Sequence, residues 1–67
     1  MIYTNVKDIR YKGYDISIFT HEDDTYTLDI KTDDGEIIEG LYGIESFNYA
    51  ITYAKKRINN GFNEEVN

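Results

Sequence analysis

Residues 25–35 read TYTLDIKTDDG, from Thr25 to Gly35, and their pattern decides the fold. Tyr26, Leu28 and Ile30 alternate with Thr27, Asp29 and Lys31. A period of two puts the apolar set on one face of a strand and the polar set on the other. Asp33-Asp34-Gly35 follows at once, and Asp-Gly tolerates the positive φ of a tight hairpin. The chain is therefore expected to turn back into a second strand over residues 36–42. Gly40 marks a bulge or a close approach there, and Gly43 breaks the pattern.

The same alternation runs backward from this hairpin. Tyr14, Ile16, Ile18 and Thr20 share one face, and Asp15, Ser17, Phe19 and His21 the other. Glu22-Asp23-Asp24 supplies a charged turn between residues 14–21 and the Tyr26 strand. Lys12-Gly13 offers one more turn, joining residues 6–11 to residues 14–19. The sheet thus has three antiparallel strands, or four if that hairpin forms. The loops are too short for parallel crossovers.

Forward from Gly43 the period changes. Ser46 suits a helix N-cap, because its hydroxyl accepts from a free amide of the first turn. Phe47, Ala50, Ile51, Ala54 and Ile58 recur at helical spacing, within about 100° of one another on a wheel. Lys55, Lys56 and Arg57 suit the last turn, where cations complement the dipole. Gly61 fits the residue after the cap, and Phe62 is placed to fold back on the core. The expected fold is α+β: an antiparallel sheet packed on one face by a single C-terminal α-helix. Residues 1–67 form one domain, with 1–8 and 62–67 expected to fray.

Sixty-seven residues bury a modest core, so stability is expected to be marginal. Seven Tyr and three Phe, with frequent Ile, take the place of Leu and Val, a mix that suits sheet surfaces. Abundant Asn, Asp, Ile, Lys and Tyr point to an AT-rich genome such as that of a phage or a low-GC bacterium. Without Cys there is no disulfide and no thiolate metal site. No apolar run approaches the roughly 20 residues of a membrane span, and no long apolar signal segment opens the chain. A soluble cytoplasmic protein, in the host cytoplasm if phage-encoded, is the expectation.

The stretch 11–58 carries Tyr11-Lys12-Gly13-Tyr14 leading into a strand and Asp34-Gly35 between the last two strands. It then carries Gly43, Ser46-Phe47, Ala50 and Ala54 opening the helix. This layout resembles small βββα domains. Among them are the arm-site DNA-binding domains of phage and transposon tyrosine recombinases, plant ethylene-response-type DNA-binding domains, and small bacterial and phage proteins. The resemblance implies a sheet that presents Arg and Lys to a duplex. This chain departs there, with Asp15, Asp29, Glu36 and Glu39 on the corresponding strands. Phosphate contacts need cations, so the DNA-binding role is not carried over.

Charge is divided by position. From residue 15 to 45 there are ten acidic residues and one basic residue, Lys31, within a chain of net charge −6. The first candidate site is therefore an acidic face of Asp15, Glu22, Asp23, Asp24, Asp29, Asp33, Asp34, Glu36 and Glu39. Held on strands and tight turns, these carboxylates imitate a row of phosphates and dock a partner with a basic surface. The bland alternative is a solvated face that keeps a small domain soluble. The second candidate is a helix face of Tyr49, Tyr53 and Lys56, opposite the apolar stripe and suited to a partner or a homodimer. Its bland alternative is the packing of Tyr53 on Tyr49 and Arg57.

Lys7, Arg10, Lys12, Lys55, Lys56 and Arg57, interleaved with Tyr11 and Tyr14, form a weak nucleic-acid candidate against an opposing global field. His21 is the single His, and no second His or Cys exists to share a transition metal or complete a nucleophile. No cofactor, metal site, catalytic residue, membrane contact or direct nucleic-acid contact is expected. The composition points to a non-catalytic, acidic protein-binding module. Its sharp form is a phage-type inhibitor that mimics nucleic acid on a host enzyme or defence complex. The alternatives are a structural protein that self-associates through its helix face or strand edge, and a degenerate nucleic-acid-binding βββα domain.

Overall fold

Four strands and one helix follow one another along the chain: β1 (Thr4–Tyr11), β2 (Tyr14–Thr20), β3 (Tyr26–Lys31), β4 (Ile37–Ile44) and α1 (Phe47–Asn59). They belong to a computed structural model that describes residues 4–62. The strands lie in the order β1-β2-β3-β4, each antiparallel to its neighbour. The N-terminal hairpin is real: Lys12 and Gly13 turn it with φ of 51° and 87°. Two positive φ values in a two-residue loop match the twist of the strands they join.

The β2–β3 and β3–β4 loops are the same device built twice. In one, Asp24 N–H donates to His21 O at 3.1 Å and His21 N–H to Thr25 O at 3.0 Å. In the other, Gly35 N–H donates to Thr32 O at 3.0 Å and Thr32 N–H to Glu36 O at 2.9 Å. The third loop residue is left-handed in both, Asp24 at 68° and Gly35 at 88°. Asp is among the few side chains that accept this conformation readily.

The core lies between one sheet face and the helix. Ile16 and Ile18 from β2, and Leu28 and Ile30 from β3, are fully buried there. Each contributes roughly 1.5–3 kcal/mol of transfer free energy. Ala50 and Ala54 are buried on the facing helix, where their small side chains let the backbone approach the sheet. Ser46 caps the helix as expected, its Oγ accepting from Tyr49 N–H at 3.2 Å. At the other end Gly61 N–H donates to Ile58 O and Phe62 N–H to Arg57 O, a Schellman closure with Gly61 at φ 68°. Phe62 then packs edge-on against Tyr14, with centroids 5.3 Å apart.

β4 departs from the simple alternation expected of it. It runs past Tyr42 to Ile44, and Gly43 breaks the alternation, as expected, by a bulge. Leu28 pairs with Leu41 but Tyr26 with Ile44, so one extra residue is bulged between them, where Gly43 takes φ 69°. The bulge shifts the parity and turns Ile44 into the core, where it is 5 % exposed. A second bulge, between Ile37 and Glu39, lies opposite Ile30 and Lys31. Gly40 is not itself bulged; a Cβ there would rest 3.6 Å from Asp29 Oδ1. At the N-terminus β1 begins at Thr4; residues 1–3 and 63–67, within the stretches expected to fray, lie outside the described residues.

Candidate interaction surface

The face of the sheet away from the helix carries mixed charge. Cross-strand register sets Arg10 beside Asp15 and Asp15 beside Lys31, while Ser17 lies beside Asp29 and Asp29 beside Gly40. Arg10 donates to Asp15 Oδ1 at 3.0 Å and also to Asp33 Oδ1. These two hydrogen bonds raise its pKa. All three groups are solvent-exposed, so the bridges orient side chains more than they stabilise the fold.

The acidic set does not form one array. Asp15 and Asp29 lie on the open face. Glu22, Asp23 and Asp24 occupy the β2–β3 loop, and Asp33, Asp34 and Glu36 lie at the β3–β4 loop, at the opposite end of the strands. A six-residue strand separates the two loops by roughly 20 Å. Asp23 is turned back on its own loop, accepting from Thr25 Oγ1 at 2.7 Å and Thr25 N–H at 3.2 Å. Those two bonds hold its pKa below the usual 3.8.

Glu39 is the clearest correction. It pairs with Ile30 and therefore lies on the helix side of the sheet. Its Oε2 accepts from the Tyr53 hydroxyl at 2.9 Å and its Oε1 from Arg57 at 3.2 Å. Both members of the ion pair are about one-fifth exposed. This carboxylate fastens β4 to the helix and does not join the acidic residues of the open face. Parity with Leu41 was the available signal, since two residues apart on a strand means the same side.

The helix face is divided by the same contact. Tyr53 is half-buried and tied to Glu39; burial first, then that hydrogen bond, raise its phenol above the usual 10. Tyr49 stacks on it, centroids 6.2 Å apart, and stays 56 % exposed. Lys56 is exposed one turn further on. Two of the basic residues brace a corner: Lys12 and Lys55 lie over the Tyr11 ring at 5.5 and 5.2 Å, and Lys12 and the Tyr11 hydroxyl both donate to Asn59 Oδ1. His21 is bonded to Thr27 Oγ1. Among the described residues no three His, Asp or Glu side chains converge as metal ligands.

The residues that sequence reasoning missed lie along β4. Among the described residues five large apolar side chains are exposed, and four are Ile37, Ile38, Tyr42 and Tyr49. Three belong to β4 and the fourth to the first turn of the helix that follows it. β4 is a sheet edge, so among the described residues its outer backbone groups have no strand partner. A depression of about 480 Å³ opens along its sheet-face side, lined by Phe19, Thr27, Asp29, Ile38 and Tyr42. Another, of about 430 Å³, lies between Tyr42 and Tyr49. The adjacent pairs Ile37-Ile38 and Leu41-Tyr42 were the signal: a strand splits neighbours between its faces, so one of each pair must point away from the core.

No protein-family model, curated protein or solved structure matches this chain. Its geometry therefore stands on its own. Among the described residues no helix is long and apolar enough to cross a membrane.

Proposed function

We propose that this chain is a small protein-binding module that works by docking and not by catalysis, and that it docks through the β4 margin. The observation that carries the reading is the gathering of Ile37, Ile38, Tyr42 and Tyr49 on one unpaired strand edge and the helix start beside it. Such a patch loses water on association, and Tyr provides large contact area at low entropic cost. The sharper form, an inhibitor that displaces nucleic acid by charge, draws support from the net −6. Two acidic loops at opposite ends of the sheet make a poorer phosphate row than a continuous face does.

Immobilised chain, incubated with lysate of the cell that makes it, tests the reading. Tyr42→Lys is expected to lose the partner that the wild type and Lys7→Ser retain. Equal thermal unfolding shows that the fold is kept, since Tyr42 is 74 % exposed. Retention of every partner by Tyr42→Lys contradicts the reading. Self-association through the same margin is the second reading, and sedimentation separates it: a monomer at high concentration removes it.

A further inference from the structure

We infer that the β4 edge accepts an extended strand of another protein whose apolar middle is flanked at both ends by Lys or Arg. The inference rests on the β4 margin being the docking site and adds the chemistry and geometry of what docks.

Backbone geometry gives the mode. In an antiparallel sheet every second residue of an edge strand turns its N–H and C=O outward, ready for another strand. Between the two bulges, residues 39–41 keep regular register with β3, and exposed Ile38 and Tyr42 stand on either side of them. An added strand pairs with this short middle and lays apolar side chains beside Ile38 and Tyr42. The bulges limit its length and prevent open-ended stacking.

Charge gives the partner. Residues 32–54 contain no Lys, Arg or His and five acids. Glu39 is turned inward to Arg57 and Tyr53. The remaining acids stand at the two ends of β4: Asp33, Asp34 and Glu36 before it, Glu45 after it, all exposed. A basic residue at each end of an added strand meets this pattern. A second copy does not, because antiparallel self-pairing about a two-fold places the Glu36 end of one chain beside the Glu45 end of the other. Like charges then face each other at both ends, in a chain already at −6.

The test is an amide NMR titration of the full chain with the peptide Lys-Lys-Val-Thr-Val-Thr-Val-Lys-Lys. Expected are shifts and slowed amide exchange centred on residues 38–42, and affinity that falls roughly tenfold as salt rises from about 0.05 to 0.5 M. Replacing the four Lys by Glu is expected to weaken binding at least tenfold. Methylating alternate backbone amides in one register is expected to abolish binding, and in the other to spare it. Equal binding by the Lys and Glu peptides, or full binding by both methylated forms, overturns the inference. So does a β4-protected dimer of the chain itself. The broader reading fails separately. Shifts confined to β1 or to the helix beyond its first turn sink both, whereas a peptide that does not bind, alongside partner capture abolished by Tyr42→Lys, sinks strand addition alone.

Discussion

β1 and β4 are both sheet edges, and they are finished in different ways. β1 carries Lys7, Asp8 and Arg10 along its length, a bulge at Val6, and an Asn5–Asp8 side-chain hydrogen bond of 3.1 Å. Its single exposed large hydrophobe is Val6. β4 carries Ile37, Ile38 and Tyr42 outward, and its one charged residue, Glu39, is committed to the helix. Charges and a bulge are the usual means of keeping an edge from pairing. β1 uses both, and β4 uses bulges alone. The contrast is what the proposed docking role of β4 rests on.

Three changes break or sharpen this contrast. The largest effect is expected from Glu39→Ala, which leaves the Tyr53 hydroxyl without its acceptor and removes the ion pair beneath β4. A half-buried hydrogen-bonded charge pair of this kind is worth about 1–3 kcal/mol. Amide exchange in β4 should speed up while β1 stays as it was; equal acceleration in both strands would show that Glu39 does not hold β4 in particular.

Gly43→Ala comes next. At φ 69° a Cβ meets no neighbour, so the cost is the left-handed backbone itself, about 1–2 kcal/mol. Urea unfolding should report that loss. A variant as stable as the wild type would mean that the bulge does not need glycine.

The smallest effect is the pH dependence at Tyr53. Its phenol is raised in the folded state, so the fold holds this proton more tightly than the unfolded chain does. The resulting stability is whole below pH 10 and is lost as pH climbs through the raised value. The difference in unfolding midpoint between wild type and Tyr53→Phe should narrow above pH 10. A constant difference would place the tyrosine outside the coupling.

The elements written in local chemistry were legible. The Tyr26–Ile30 alternation, the Asp34-Gly35 turn, the Ser46 cap and the Ala50–Ala54 stripe each declare themselves within a few residues. What stayed hidden depends on partners distant along the chain. Glu39 reads as one more acid until Tyr53 and Arg57, 14 and 18 residues on, are seen above it. Ile44 lies beyond the strand end expected at Tyr42, until the bulge at Gly43 carries β4 on and turns that side chain into the core. The acidic block from Asp15 to Glu45 is continuous in sequence, yet a strand carries its two loops to opposite ends of the sheet. Charge adjacent along a hairpin is not charge adjacent in space.

The contrast between the edges is tested most directly by site-specific photocrosslinking inside the producing cell. A photoreactive residue at position 42 is expected to yield a discrete adduct with a partner protein, competed away by excess unlabelled chain, while the same residue at position 7 yields none. Adducts from position 7 equal to those from position 42, or none from position 42, would contradict the assignment of function to β4.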